Sequence, residues 1–437
     1  MDTEAPPTLR RTLGLLETTL SGVGIILGAG IYALVGEVAA KAGNTLWVSF
    51  LMAAGMAAVI GLAYAELASA YPKAGADYEY TRQALGPRAA FVVGWLIVIG
   101  NLVAGAAVAL GFGGYLHTFV GVDKTFLALA VLVVATLIAF YGIREAVWTA
   151  IVLSLVEAGG LVFIIAIGVP HLGDQDLLEA HRGAAGIFSG AALVMFAFIG
   201  FEQVATLAEE TVEATRIVPR ALLLAIAITT TLYLLVALAA ISVLGWQALG
   251  ASDAPLADVA AKVLGGSASD FLSVVALFST GNTVLLLIVA ASRLIYGMAS
   301  TRALPRFLAW VHPRAQTPAR AIVLCLVVSG GFALSGDIGL VAGATNFAIF
   351  IGFAAVNLSL IVLRYSQPEV ARPFRLPLNV GRFPLLPVVA LGSIAFMMAN
   401  LERNALLIGA GLFVSGLVAM QALSLWRPLG ARGDDPP

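Results

Sequence analysis

The stretch from Ser21 to Tyr32, Ser-Gly-Val-Gly-Ile-Ile-Leu-Gly-Ala-Gly-Ile-Tyr, decides how the rest of the chain is interpreted. It is apolar enough for a membrane helix, yet each of its four glycines costs a helix about 0.8–1 kcal/mol relative to alanine. Gly28 and Gly30 flank Ala29, and glycine permits backbone conformations that a helix does not use. The stretch therefore predicts a membrane helix that is broken near Ala29, with peptide N–H and C=O groups left uncovered.

A second stretch, residues 189–202, begins with the same Ser-Gly pair and reads SGAALVMFAFIGFE. When the two Ser-Gly pairs are aligned, Phe196 corresponds to Gly28 and Ala197 corresponds to Ala29. Interrupted helices in corresponding positions of two halves are typical of a binding site at a repeat interface. The start of a half-helix attracts a carboxylate and free carbonyls accept from an ammonium group, so the pair of breaks favours a zwitterionic solute.

The amino-acid composition indicates an integral membrane protein. Of its 437 residues 60% are hydrophobic and 11% charged, against about 45–50% and about 25% in soluble domains. A net charge of −1 argues against a nucleic-acid partner. The single cysteine, Cys325, and four scattered histidines show no ligand spacing. We therefore expect neither a metal site nor a cofactor.

Apolar runs of about 20 residues separated by charges or by Pro and Gly clusters predict an all-α integral membrane protein with about twelve spans. The predicted spans are 13–36, 45–70, 89–120, 125–143, 146–170, 186–209, 219–245, 268–300, 320–336, 340–364, 384–402 and 404–426.

The loop charges give the predicted orientation. With twelve spans, eighteen of the 24 Lys and Arg residues fall on the side of the two termini, five fall on the opposite side, and Arg293 lies within a span. Positive charge favours the cytoplasmic face, so both termini are expected in the cytoplasm. The expected location is the cytoplasmic (inner) membrane.

Carboxylates inside the predicted spans are candidate functional groups because a buried charge is costly unless it is paired or neutralised. Glu157 lies midway along the fifth span and Glu202 follows the second break. Together with Thr283 of the eighth span they are the candidates for holding a coupling proton or cation. The alternative is a carboxyl that is merely hydrogen-bonded between helices. Arg293 is expected to be a structural ion-pair partner.

The aromatic residues beside the second break have two interpretations. Phe196 and Phe201 are candidate gates over a bound solute, and the alternative is ordinary lipid-facing bulk.

An ordered set of motifs resembles the amino acid–polyamine–organocation superfamily of permeases. The motifs are residues 28–30 (GAG), 71–80 (YPKAGADYEY), 198–202 (FIGFE) with 209–210 (EE) and 218–221 (VPRA), 292–298 (SRLIYGM) with 304–305 (LP), 317–318 (TP) and 372–377 (RPFRLP).

The resemblance implies a LeuT-type fold, which is an inverted repeat of five plus five helices followed by two more. It implies a cytoplasmic N-terminus (1–12), two repeats (13–170 and 186–364), two additional helices (384–426) and a cytoplasmic tail (427–437). It also implies substrate binding between the breaks. The implied binding residues are Ile25, Gly28, Ala29 and Gly30, whose N–H groups would receive a carboxylate, and Phe196, Ala197, Phe198 and Ile199, which would supply carbonyls and a lid.

One departure concerns coupling. Several members of the superfamily carry a lysine in the fifth span, and Glu157 falls at that position. A carboxylate cannot imitate a cation but can bind one, so the residue is expected to take up a proton or to face sodium or a substrate ammonium group.

The resulting expectation is a secondary active permease for an amino acid or related amine, working as a proton symporter or an exchanger. A polyamine or organic-cation carrier that uses Glu157 as its cation site is the alternative, and a channel is more remote. Apart from Asp270 at the start of the eighth span, the spans contain no aspartate, which argues against an intramembrane enzyme. The expected partners are a small solute and the lipid bilayer, with no nucleic acid and no obligate protein partner.

Overall fold

The computed structural model describes residues 13–72, 76–141, 146–209, 211–300, 304–313, 315 and 317–426. The predicted cytoplasmic segments 1–12 and 427–437 lie outside this part, as do four of the loop charges used for orientation. Those four are Lys73, Arg144, Arg302 and Arg314.

The first half of the described chain is built from seven helices. They are α1 (Leu15–Leu27), α2 (Gly30–Ala42), α3 (Leu46–Ala70), α4 (Ala76–Leu85), α5 (Pro87–Val120), α6 (Lys124–Tyr141) and α7 (Ala146–Gly168). Short 3₁₀ turns at Gly43–Thr45 and Val169–His171 follow α2 and α7.

The second half is also helical, apart from one small hairpin. Its helices are α8 (Gly183–Phe198), a 3₁₀ helix (Phe201–Glu209), α9 (Ala214–Ala251), α10 (Pro255–Leu264), α11 (Gly266–Ser300), a 3₁₀ turn (Arg306–Ala309), α12 (Ala319–Ala333), α13 (Ile338–Ser366), α14 (Leu385–Ala399) and α15 (Arg403–Trp426). The two-residue strands β1 (Asn379–Val380) and β2 (Phe383–Pro384) pair antiparallel between α13 and α14.

The protein is an all-α membrane protein. Within the described residues eight helical segments are long and apolar enough to cross a bilayer, and four shorter apolar helices accompany them. Each of the twelve predicted spans coincides with one helix or with two successive helices. Whether all twelve segments cross the membrane stays a prediction.

Three features differ from the predicted spans. The helices α4 and α10 were not predicted, because each is only 10 residues long and is amphipathic rather than uniformly apolar. The helix α9 continues to Ala251 beyond the predicted limit of residue 245, with a kink at Gly245, whose φ is 73°. Glycine accepts this left-handed conformation without the steric penalty of a side chain.

Small residues set how closely the helices pack. A Cβ atom placed on Gly168 of α7 would lie 2.4 Å from the Cβ of Ala239 in α9, and one on Gly111 of α5 would lie 2.8 Å from the Cβ of Ala33 in α2. Membrane helices gain little from the hydrophobic effect between themselves, so close van der Waals contact between small residues is what holds them together. These contacts join α7 to α9 and α5 to α2.

A buried ionic cluster joins the ends of α3 and α13. Arg364 of α13 donates to both carboxylate oxygens of Glu66, and Arg372 lies 3.6 Å from the same carboxylate. The N–H of Leu376 also donates to Glu66, at 2.9 Å. The Glu66 and Arg364 side chains are 0% and 2% exposed. The cluster therefore fixes the segment that leads into the hairpin.

We expect Glu66→Gln to lower the free energy of unfolding by about 3–5 kcal/mol, because it leaves two arginines without their counter-charge, one of them buried. The measurement is thermal unfolding of the purified protein in detergent. Glu213→Gln is the matched control, since Glu213 pairs with Arg216 at 3.9 Å and is 66% exposed, and such pairs are worth at most about 1 kcal/mol. Equal melting temperatures for the two variants would contradict the structural role.

Candidate functional site

The first predicted span is interrupted after Leu27. The helix α1 ends there and α2 begins at Gly30, with Gly28 and Ala29 between them. Gly28 has φ 20° and ψ −178°, which is not helical. The N–H of Ala33 donates to the carbonyl of Ala29 at 3.0 Å. The three N–H groups before it, those of residues 30–32, are therefore ahead of the first hydrogen bond of α2 and lack a helical acceptor.

The sixth predicted span is interrupted at Ile199 and Gly200. The helix α8 ends at Phe198, Ile199 has extended backbone (φ −55°, ψ 133°), and Gly200 has φ 120°. The chain continues as the 3₁₀ helix Phe201–Glu209. This interruption lies three residues beyond the Phe196–Ala197 pair that the internal comparison aligned with the first break.

The two interrupted segments touch each other. A Cβ atom on Gly30 would lie 2.6 Å from the Cα of Ala197, and one on Gly200 would lie 3.0 Å from the carbonyl oxygen of Ile25. Only glycine fits such an approach. At these positions it allows the two segments to touch and also permits the non-helical backbone.

A tyrosine from α9 bridges the broken ends. The hydroxyl oxygen of Tyr233 lies 2.8 Å from the carbonyl oxygen of Ile26, 2.7 Å from that of Leu27 and 3.1 Å from that of Ala197. These carbonyls belong to the last turns of α1 and α8, where helical donors run out. Tyr233 is fully buried. Sequence inspection missed it, because a lone Tyr in an apolar span has no distinctive signal.

Thr283 of α11 also contacts the first interruption. The N–H of Ala29 donates to Thr283 Oγ1 at 3.2 Å, and the same hydroxyl donates to the carbonyl of Ser279 at 3.0 Å. Thr283 is thus bonded to the first interruption and to its own helix.

A cavity of about 360 Å³ lies beside the interruptions. Ten predicted site residues line it, namely Ile25, Gly28, Ala29, Gly30, Glu157, Phe196, Ala197, Ile199, Glu202 and Thr283. The structure therefore brings together residues that are separated by up to 258 positions in the chain.

Two predicted aromatic residues lie outside the cavity lining. Phe198 packs edge-on against Tyr233 with ring centroids 5.4 Å apart. Phe201 packs against Tyr64 at 5.8 Å and Phe353 at 5.2 Å. Both are fully buried. Of the two candidate gate residues, only Phe196 faces the cavity.

The two carboxylates have different surroundings. Glu202 accepts a hydrogen bond from the N–H of Gly200 at 2.9 Å and so satisfies a donor left by the interruption. Glu157 is 2% exposed, and one of its carboxylate oxygens has no hydrogen-bond partner within the described residues. The Ser279 hydroxyl is its polar neighbour but falls short of hydrogen-bond geometry. Glu157 is therefore the carboxylate that is free to accept a proton or a cation.

Four further polar residues line the cavity. They are Asn101 of α5, Gln203 of the 3₁₀ helix, and Asn282 and Arg293 of α11. Arg293, which was expected to form a structural ion pair, makes no ion pair with any described residue. The expected ion pair is therefore not formed within the described residues, and α11 places Arg293 on the cavity lining.

A pair of tyrosines lines a second cavity. Tyr32 and Tyr115 meet edge-on with ring centroids 6.4 Å apart, and the Tyr115 hydroxyl donates to the carbonyl of Tyr32 at 3.2 Å. This cavity is polar, has a volume of about 370 Å³, and contains an ion pair of Lys124 with Asp253 at 2.6 Å.

One titratable group near the site lies outside the membrane-spanning helices. Asp77 of α4 accepts a hydrogen bond from the Tyr64 hydroxyl. Burial raises the pKa of Asp77 to about 6, and the hydrogen bond from Tyr64 opposes that rise. This contact ties α4 to α3 beside the Phe201 ring. Within the described residues, no group of three His, Cys, Asp or Glu side chains is placed to hold a metal ion.

Comparison with known proteins agrees with the architecture. The chain matches the family model described as amino acid permease over residues 13–421. It is 34% identical over 423 residues to an uncharacterized transporter of Mycobacterium tuberculosis, covering 95% of this chain and 92% of the relative.

Two relatives have names that state a substrate class. The chain is similar to a branched-chain amino acid permease of Bacillus subtilis, with 27% identity over 91% of this chain and 90% of the relative. It is also similar to cationic amino acid transporter 4 of Mus musculus, with 31% identity over 84% of this chain and 62% of the relative. The full-length family match and these similarities show that the chain belongs to the amino acid permease family of the amino acid–polyamine–organocation superfamily and is a transporter rather than an enzyme.

Proposed function

We propose that the protein is a secondary active transporter that moves an amino acid or a related amine across the cytoplasmic membrane by alternating access. In this proposal twelve helices cross the bilayer as a five-plus-five inverted repeat followed by two more, and both termini are cytoplasmic. The observation that carries it is the contact between two interrupted helices beside a cavity of about 360 Å³.

The proposed binding mode uses the backbone. The N–H groups of residues 30–32, which precede the first hydrogen bond of α2, receive the substrate carboxylate, where the helix dipole is positive. The substrate ammonium group lies toward the carbonyls at the ends of α1 and α8. Tyr233 already bonds to three of these carbonyls, and each has a second lone pair for the substrate.

A cationic substrate is the second candidate. Glu157 and Glu202 both line the cavity, and Glu157 has an unpartnered oxygen. An organic cation or a cationic amino acid would neutralise these carboxylates, as burial of a charge requires. The mouse relative is named for cationic amino acids and the bacterial permease for branched-chain ones. Similarity therefore leaves both classes open.

The test is uptake into liposomes that contain the purified protein. A panel of the twenty amino acids and several amines is offered with and without a pH gradient. Saturable uptake of at least one compound, and its exchange with preloaded compound, is the expected result. Flux that does not saturate would indicate a pore, and uptake equal to that of protein-free liposomes would contradict the proposal.

Proton coupling is assigned to Glu157 in this proposal. We expect Glu157→Gln to transport at a rate that no longer responds to the pH gradient, because the amide cannot take up or release a proton at physiological pH. Glu213→Gln, on the exposed end of α9, is the control and should respond as wild type does. Full gradient-driven uptake by Glu157→Gln would remove this residue from the coupling mechanism.

A further inference from the structure

The cavity extends beyond the proposed binding position, in which backbone groups of the interrupted helices hold the substrate. The lining residues of α11 include Asn282, Leu286, Ala290 and Arg293, which recur every three or four residues and so share one face. From Asn282 to Arg293 this face extends about 16 Å along the helix axis. The interruptions lie near the Asn282 end, so the proposed binding position leaves the Arg293 half of the cavity unused.

The helix α5 forms the opposite wall and runs antiparallel to α11. A Cβ atom on Gly94 would lie 3.7 Å from Met298 Sδ, and one on Gly105 would lie 4.0 Å from the Cβ of Leu287. Residue numbers therefore rise along one helix as they fall along the other. Interpolation between these contacts places Asn101 within about one helical turn of Arg293 along the axis.

Asn101 is a buried amide without a protein partner. It is 9% exposed, lines the cavity, and makes no side-chain hydrogen bond to any residue that the structure describes. Its amide faces the cavity rather than a described side chain, so its N–H₂ and C=O groups are available to a polar ligand there.

Arg293 supplies a charge at the same level. Its guanidinium group has neither an ion pair nor a hydrogen bond within the described ranges. The cavity also contains Glu202, but one oxygen of that carboxylate already accepts from Gly200, and no ion pair to Arg293 forms. The cavity thus has a guanidinium group without a direct ion-pair partner among the described residues, at about the same level as the Asn101 amide.

We propose that Arg293 and Asn101 form a carboxylate-binding subsite, a second resting position for the substrate on its path between the interrupted helices and the cytoplasm. Guanidinium binds carboxylate through two parallel hydrogen bonds, and the amide N–H₂ adds a third donor. Leu286, Ala290 and Arg293 are exposed whereas Asn282 is buried, so the cavity opens toward the Arg293 end. The inference rests on the proposed function. The same chemistry would accept a free anion such as chloride.

The test compares transport from the two membrane faces. Right-side-out and inverted vesicles take up an equimolar radiolabelled mixture of the twenty amino acids, and the half-saturating concentration is measured on each face. We expect Arg293→Gln to raise this concentration about tenfold on the cytoplasmic face, as the loss of one charge-assisted contact predicts, and to change it less than twofold on the other. Asn101→Leu should raise the half-saturating concentration on the cytoplasmic face by a smaller factor.

The controls separate a binding role from a structural one. Arg306→Gln removes an exposed charge outside the cavity and should behave as wild type. Arg293→Lys keeps the charge but not the paired hydrogen bonds, so it should restore only part of the cytoplasmic affinity. The subsite would be overturned if the half-saturating concentration rose equally on both faces. It would also be overturned if this concentration stayed unchanged in both Arg293→Gln and Asn101→Leu. Cytoplasmic affinity that depends on chloride in wild type and not in Arg293→Gln would assign the site to a free anion and overturn the substrate assignment. A wild type that takes up no amino acid from either face would instead remove the proposed function, and the subsite with it.

Discussion

Tyr233→Phe is expected to reduce transport at least tenfold and to lower the free energy of unfolding by about 1–3 kcal/mol. The change removes a single oxygen, which lies within 3.1 Å of carbonyls from both interrupted helices. Without that hydroxyl, three buried carbonyls lose a shared donor and the two broken ends lose their common anchor. The ring itself stays, so its packing against Phe198 and Phe50 is retained. The transport loss therefore reports on the hydroxyl.

Tyr365→Phe is the matched control. Tyr365 lies near the end of α13, is 53% exposed, and makes no hydrogen bond to a described residue. Liposome uptake and thermal unfolding are measured for both variants. Wild-type uptake by Tyr233→Phe would mean that the carbonyls at the broken ends need no donor from α9. It would contradict the role of the Tyr233 hydroxyl in the proposed binding geometry.

Gly30→Ala is expected to abolish uptake and to cost about 1–3 kcal/mol of stability. The added methyl carbon would lie 2.6 Å from the Cα and 2.9 Å from the Cβ of Ala197, and backbone cannot move aside as a flexible side chain does. The start of α2 and the end of α8 must then separate. The substrate groups that bind at these two ends would lose their spacing.

Gly55→Ala is the control for that substitution. Gly55 lies in α3, and a Cβ atom there would meet nothing within 4 Å. Alanine favours a helix by about 0.8–1 kcal/mol over glycine, so this variant should be as stable as wild type or slightly more so. A Gly30→Ala protein that transports normally would show that the contact with Ala197 is not needed for function.

The position of the first break was predictable from local sequence. Gly28 and Gly30 lie within a run that is otherwise apolar and helical, and the observed interruption lies at Gly28 and Ala29. The second break was placed three residues too early, because the internal match aligned side chains without knowing the backbone of Ile199. Helix ends shift by a turn with little change in apolar pattern.

Contacts between distant helices could not be predicted. Tyr233 lies 207 and 36 positions from two of its carbonyl partners, Ile26 and Ala197. Its apolar neighbours in sequence would suit a lipid-facing residue equally well. Phe201 illustrates the same limit, since its direction depends on the 3₁₀ path after Gly200 and not on its closeness to the break. Charge inside a span identified Glu157 and Arg293, but only packing decides which charges are paired.

In the proposed mechanism the substrate binds between the interrupted helices. An electron cryomicroscopy map of the purified protein with a transported amino acid tests it most directly. We expect ligand density whose carboxylate lies within hydrogen-bonding distance of the N–H groups of Gly30 and Ile31, with Ala197 on the other side. Unbroken helices through residues 28–30 and 198–200, with the ligand bound elsewhere, would contradict it.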